Sequence, residues 1–230
     1  MYSLTLQKEI NFHLEMLHNF QLTNTLFNRF ISELRDLEIQ KDSMRFRRNL
    51  ERMGEIIAYE ISKTLPYSNI TVSTPLGEAE CSVHSQEPVI ATILRAGLPM
   101  HYGLMNYYDK ADTAFAAAYR KHESEDTFTI SVDYVSSANL NDRILILADP
   151  MLATGNSLVA VYKRLLAFGT PSSVHIVSAI ASKTGLNYVK SRLPEHTHYW
   201  MGAIDDELTA HSYIVPGLGD AGDLAFGNKE

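Results

Sequence analysis

Residues 143–166 read R-I-L-I-L-A-D-P-M-L-A-T-G-N-S-L-V-A-V-Y-K-R-L-L. The first segment, Ile144–Ala148, is a short, branched, uninterrupted apolar run, as expected of a strand buried on both faces. Asp149 stands where that strand should end, and Pro150, which lacks an N–H, is expected to stop further ladder pairing. Ala153, Thr154, Gly155, Asn156 and Ser157 form a stretch of small and hydroxyl residues. Leu158, Val161, Leu165 and Leu166 then recur at helical spacing. A strand, an acid, a small-residue loop and a helix can hold a phosphate and a sugar together. The first N–H groups of the helix, with the Thr154 and Ser157 hydroxyls, can surround phosphate oxygens. The Asp149 carboxylate only accepts hydrogen bonds and so suits vicinal hydroxyls. The alternative is an ordinary strand–turn–helix with Ser157 as its N-cap.

Working outward, residues 89–94 (V-I-A-T-I-L) read as a second buried strand ending at Arg95-Ala96-Gly97, with a helix over 98–108. Residues 113–119 read as a third strand, ending at Arg120. Two strands ended by arginine beside one ended by aspartate suggest an anion site, because the carboxyl ends of strands form the ligand crevice of open α/β sheets. Residues 127–135 alternate polar and apolar, as in an exposed antiparallel flap, placed at 126–136. Further strands are expected at 174–181 and 197–203, with a short helix over 184–192 between them. Strands alternating with helices imply a mainly parallel central sheet flanked by helices, with right-handed crossovers. Residues 70–73 and 79–83 flank T-P-L-G as a hairpin.

The region before the first strand, residues 1–66, reads as a helical layer or hood. Leu14, Leu17 and Phe20 suggest a peripheral helix. A second helix begins at Asn24, with Leu26, Phe27, Phe30, Ile31, Leu34 and Leu37 as its stripe. A third, over 43–65, carries Phe46, Leu50, Met53, Ile57 and Ile61 and stops at Pro66. Arg45, Arg47 and Arg48 sit at its start, the wrong end for the helix dipole. They are read as a solvated face or as a phosphate-facing or subunit surface.

The chain has 230 residues, 45% of them hydrophobic, enough for a full core built as one elaborated α/β domain. A formal net charge of −7 argues against wrapping nucleic acid or lying on an anionic membrane. Cys81 is the sole cysteine, so no intramolecular disulfide is expected. Without a signal-like start or a long apolar run, the chain reads as soluble and cytoplasmic. His196 and His198 would share a face on a strand, but no ligand cluster accompanies them, and zinc is not expected. His175, within an apolar strand, reads as a packed histidine. Residues 217–222, G-L-G-D-A-G, satisfy G-x-G-x-x-G, yet the helix and distant acid that a dinucleotide site requires are not expected after them. A glycine-dense turn there, after strand-like Ile214-Val215-Pro216, suggests backbone held close to something.

Three motifs, I-L-R-A-G-L at 93–98, D-P-M-L-A-T-G-N-S at 149–157 and Y-I-V-P-G-L-G-D-A-G-D at 213–223, make the chain resemble the uracil phosphoribosyltransferase family. The resemblance covers nearly the whole chain and implies the type I phosphoribosyltransferase fold. It implies transfer of ribose 5-phosphate from phosphoribosyl pyrophosphate (PRPP) to uracil, giving UMP and pyrophosphate in pyrimidine salvage. Carried over residue by residue, Asp149, Pro150, Met151, Leu152, Ala153, Thr154, Gly155, Asn156 and Ser157 would hold the ribose 5-phosphate, with Arg95, Arg120 and Asp220 also on PRPP. Uracil would be read by Ile214, Gly219, Asp220 and Ala221, and Asp149, Asp220 and Arg95 would carry the catalysis. Magnesium is implied as a cofactor held mainly by substrate, near Asp220, with no direct protein ligand assigned. The resemblance also implies a homodimer or higher homo-oligomer and admits GTP as an effector, for which the Arg45–Arg48 cluster is the expected place. Asn156 replaces a usual second glycine and is expected to be tolerated if its backbone angles are ordinary. Ala210 and Ser212, around His211, replace the commoner Glu and Gly. The alternatives are a phosphoribosyltransferase for another base, or a nucleotide-sensing RNA-binding regulator on the same fold.

Overall fold

A computed structural model describes residues 16–122 and 128–229. Its strands are β1 (Leu17–Asn19), β2 (Tyr67–Thr74), β3 (Gly77–His84), β4 (Val89–Leu94), β5 (Asp112–His122), β6 (Phe128–Ser136), β7 (Ile144–Ala148), β8 (Met151–Leu152), β9 (Ser173–Ser182), β10 (His198–Asp205), β11 (Glu207–Leu208) and β12 (Ile214–Val215). The α-helices are α1 (Leu26–Arg35), α2 (Ser43–Ser62), α3 (Leu98–Met105), α4 (Asn156–Leu165), α5 (Lys183–Lys190) and α6 (Ala221–Phe226). The central sheet runs β1-β10-β9-β7-β4-β5-β6, parallel throughout except for the antiparallel edge pair β5–β6.

β7 lies between β4 and β9, with every residue buried. Its side chains divide between two cores, as strand alternation requires. Ile144, Ile146 and Ala148 join the core with α1, α2 and α3, through residues such as Leu50, Met53 and Met100. Leu145 and Leu147 join the opposite core, with Leu158, Val161 and Leu165 of α4 and Leu186 and Val189 of α5. A sheet covered on both faces by helices follows, the architecture expected from the sequence.

The helical hood is fastened by a buried polar knot. Thr25 caps α1 in a capping box with Asn28, and Asp42 caps α2 through the Arg45 N–H. Glu33 of α1 accepts from Asn49, Arg29 and Arg45. The Asn49 amide, followed by the two arginines, holds its carboxyl down at about 2 despite burial.

Several sequence expectations need correction. The proposed peripheral helix fails at Leu17, which begins β1 and pairs in parallel with Tyr199 of β10; Leu14 lies outside the described residues. Leu26 and Leu37 are exposed, so the buried stripe of α1 is Phe27, Ile31 and Leu34. Pro150 does not end pairing. Its carbonyl accepts from Ile180, and β8 resumes the ladder with β9 immediately beyond it. Arg120 does not end its strand, because β5 runs on to His122 opposite β6. Residues 126 and 127 of the proposed flap, and the side chain of Arg120, lie outside the described part. His175 is packed as expected, its Nδ1 accepting from the Trp200 indole at 3.1 Å. No helix among the described residues is long and apolar enough to cross a membrane.

Because neither face of β7 meets solvent, Ile146→Ala and Leu147→Ala are expected to cost about 2–5 kcal/mol each in denaturant unfolding, despite lying in opposite cores. A near-neutral result for either would mean that its face is open.

Candidate active site

The carboxyl ends of β4 and β7 open onto two adjoining clefts, of about 460 and 340 Å³. Asp149, Asp220, Ala96, Gly222 and Lys229 line both. The larger cleft also takes in Met151, Leu152, Ala153, Thr154, Gly155 and Ser157 on one side and Gly219 and Ala221 on the other. Arg95 lines the smaller cleft. The geometry therefore brings together stretches of chain some seventy residues apart that were singled out separately in the sequence. Pro150, Asn156 and Ile214 line neither cleft, although each is next in sequence to a residue that does.

Asp149 accepts one long hydrogen bond, from the Met151 N–H at 3.4 Å. Burial at the end of the sheet dominates that bond and pushes its carboxyl up to about 7. The loop that follows is tied from beneath. Ser182, at the end of β9, donates to the Ala153 carbonyl at 2.5 Å and accepts from the Gly185 N–H, so one hydroxyl joins the loop to the start of α5. Gly155, not Ser157, is the N-cap of α4, with φ +79°. A side chain there would be strained by that angle and would also meet Val189 Cγ2 at 2.6 Å. Asn156 is not among the residues with positive φ, so the condition set for its tolerance is met. Its N–H is held by the Thr154 hydroxyl at 3.4 Å. This loop presents the start of a ten-residue helix to the cleft, the usual setting for a phosphate.

The opposite wall is the turn before α6. Gly219 has φ +92°, and Asp220 caps α6 by accepting from the Asp223 N–H at 3.0 Å. A helix therefore does follow the glycine turn, contrary to the sequence expectation, although it is only six residues long. Arg95 reaches across to the same helix, donating through Nη2 to Asp223 at 3.1 Å and to the Gly227 carbonyl at 3.0 Å. Lys229 lies 4.0 Å from Asp220. Leu158, Lys229, Tyr119, Ile130 and the His211-Ser212-Tyr213 segment complete the lining of the larger cleft. Sequence reading did not pick out Lys229, Tyr119 or Ile130 as site residues, and no local pattern marks them. Ser212 takes φ +64°, a conformation that favours glycine.

Arg45, Arg47 and Arg48 do not form a free basic patch. Arg45 pairs with Glu33, Arg48 with Glu51 and Glu55, and Arg47 donates to the Ala225 carbonyl at 2.6 Å.

A mainly parallel sheet with an acid-tipped central strand, a small-residue loop feeding a helix and a helical hood over one face make up the type I phosphoribosyltransferase fold. A family model described as uracil phosphoribosyltransferase matches residues 22–228. The chain is 53% identical over 206 residues to a uracil phosphoribosyltransferase of Porphyromonas gingivalis, covering 90% of this chain and 95% of that one. It is 38% identical over 188 residues to one from Methanothermobacter thermautotrophicus, covering 81% and 85%. The solved structure of the AQ2163 protein from Aquifex aeolicus is similar at a TM-score of 0.81 and 27% identity, covering 92% of this chain and 98% of that one. The chain belongs to the uracil phosphoribosyltransferase family.

Two stability effects follow from the site itself. The raised Asp149 carboxyl contributes nothing adverse below the ordinary carboxylate range and destabilises the ligand-free fold as pH rises through about 7. Asp149→Asn, which stays neutral, should therefore be more stable than wild type at pH 8, by on the order of 1–3 kcal/mol, with the gap closing by about pH 4. Equal pH dependence of the two in thermal melts would contradict this. Ser212→Gly relieves an unfavourable backbone angle against a more flexible unfolded chain, and a gain of up to about 1 kcal/mol is expected in the same assay.

Proposed function

We propose that the chain transfers ribose 5-phosphate from PRPP to a ring nitrogen of uracil, forming UMP and pyrophosphate as a step of pyrimidine salvage. The observation that carries the proposal is the sharing of one cleft by Asp149, the 151–157 loop and the Gly219-Asp220-Ala221 turn. The loop and the start of α4 receive the 5-phosphate, and Asp149 faces the ribose hydroxyls. Arg95, together with Arg120, receives the pyrophosphate; the guanidinium of Arg95 has donors to spare beyond those of Nη2. Backbone groups at Gly219, Asp220 and Ala221, supported by Ile214, read the base. Such a reading separates uracil from cytosine, because a carbonyl accepts where an amino group donates. A buried group left unpaired costs roughly 1–3 kcal/mol.

The residues present suit magnesium. Asp149 and Asp220 line the same clefts, and carboxylate oxygens are the donors that this cation prefers. A partly buried carboxyl pushed up to about 7 is one that a nearby cation would return to its ionised form. No three His, Cys, Asp or Glu side chains among the described residues could hold a metal, so these two carboxylates would share it with substrate oxygens. When bound, magnesium offsets the negative charge that grows on the departing pyrophosphate.

As the bond to pyrophosphate lengthens, positive charge develops on the ribose ring. Asp149, oriented by the end of β7 and by the Met151 N–H, stabilises it. Arg95 stabilises the leaving oxygens. The loop and the base-reading turn hold the two reactants in attacking geometry, which is itself a large share of the rate. No protein nucleophile enters the scheme.

The proposal extends to a homo-oligomer and to GTP as an effector. The Arg45–Arg48 cluster is a poor place for that effector, since Arg45 and Arg48 already face Glu33, Glu51 and Glu55.

Purified protein with magnesium and PRPP should convert uracil to UMP on the order of ten- to a hundredfold faster than cytosine, and should likewise prefer it to orotate and hypoxanthine. Preference for another base would replace uracil in the scheme. Salt-dependent RNA binding without turnover would favour the regulator reading, which the net charge of −7 opposes. Asp149→Asn and Asp220→Asn should each lower kcat/KM on the order of a hundredfold while remaining folded. Near-wild-type rates in both would undo the site assignment.

A further inference from the structure

The base-reading turn has no regular ladder of its own. Between the short β12 and α6 it runs Pro216-Gly217-Leu218-Gly219-Asp220, and something must fix it. Leu218 is buried in the core under α1 and α2. One residue earlier, Gly217 is held by both of its backbone polar groups. Its N–H donates to Asp205 Oδ2 at 2.9 Å, and its carbonyl accepts from Arg35 Nη1 at 3.1 Å. Arg35 and Asp205 are themselves joined in a two-pronged pair, Nη2 to Oδ1 at 2.7 Å and Nη1 to Oδ2 at 2.8 Å. The Asp205 side chain is 5% exposed and that of Arg35 21%. Arg35 ends α1 in the hood and Asp205 ends β10 of the sheet, so the clamp spans 170 residues of sequence to grip one peptide unit.

A buried ion pair is a poor source of stability, because desolvation offsets much of its attraction. A planar guanidinium bound at two points by a carboxylate instead supplies direction. Here each member of the pair also holds one backbone group of Gly217, Arg35 its carbonyl and Asp205 its N–H. Together they set the plane of the backbone from which Gly219, Asp220 and Ala221 enter the cleft. Recognition by backbone groups cannot be adjusted by a change of rotamer, so it depends on where that plane sits; a displacement of about 1 Å can cost a hundredfold.

We propose that Arg35 and Asp205 are positioning residues for base selection, acting through Gly217 and touching neither substrate. The proposal rests on the reading that this turn binds uracil. It separates the two halves of the site: the loop after β7 is fastened independently, through Ser182 and Ala153.

The test is kinetic, with uracil and PRPP varied separately on the full chain. It is accompanied by calorimetric titration of PRPP with magnesium and by thermal melts. In Arg35→Lys, which loses the planar fork, and in Asp205→Asn, which loses the charge, KM for uracil should rise at least tenfold. PRPP affinity should fall by a clearly smaller factor than KM for uracil rises, because of the turn's residues only Asp220 also serves PRPP and its magnesium. The paired Arg35→Met/Asp205→Asn variant leaves no unpaired buried charge, and it is read in the same way should either single variant fail to fold. Folded variants with KM for uracil within twofold of wild type would overturn the proposal. So would a parallel loss of PRPP affinity, which marks a merely structural role. Failure of the wild type to use uracil would instead overturn the underlying function, so the two failures are distinguishable.

Discussion

Everything that faces the clefts depends on the parallel pairing of β7 with β4 on one side and β9 on the other. Parallel strands release their carboxyl ends in one direction, and helices covering both faces leave those ends as the place where backbone and side chains can meet a ligand. The same pairing leaves Asp149 only partly exposed at the strand end, where lost solvation raises its carboxyl to about 7. The fold thus holds an acid where its charge is costly until a ligand arrives. A site of this kind exchanges stability for readiness, as strained functional positions commonly do.

Around that acid, the two walls are built by different means. The loop wall is local: it follows β7 directly, is turned by Gly155, and is fastened by one hydroxyl from the neighbouring strand. The turn wall is assembled from distant parts of the chain. The hood grips it through Arg35 at Gly217 and Arg47 at Ala225, and the end of β4 grips it through Arg95 at Asp223 and Gly227. The N-terminal helices therefore do more than cover one face of the sheet. Their cations set the position of the last helix, and most of their charge is spent within the chain.

The local wall was the legible one. An apolar run, an acid, a proline and a glycine loop are all neighbours in sequence; β4, β7 and β9 follow from short branched apolar runs and α4 from helical spacing. What was misread depends on pairing across the chain. Leu14, Leu17 and Phe20 have helical spacing, yet Leu17 is drawn into β1 by β10, 182 residues away. Pro150 lacks a donor, but its carbonyl still pairs, and β9 is long enough to pick up β8 beyond it. Arg45 and Arg48 were read as a solvated face or as a phosphate-facing or subunit surface; both are partly exposed, but pairing with Glu33, Glu51 and Glu55 uses their charge within the chain. The composition of residues 217–222 signalled an unusual backbone, and Gly217 and Gly219 do take positive φ. It could not show that Asp220 would cap a helix or that Lys229 would fold back beside it.

The most direct test is a crystal structure of the protein with UMP. The account expects the 5′-phosphate at the 153–157 loop, the ribose hydroxyls on Asp149, and the uracil ring against the backbone of Gly219, Asp220 and Ala221. A phosphate in that loop with the base turned away from the 219–221 turn, or UMP bound outside these clefts, would contradict it.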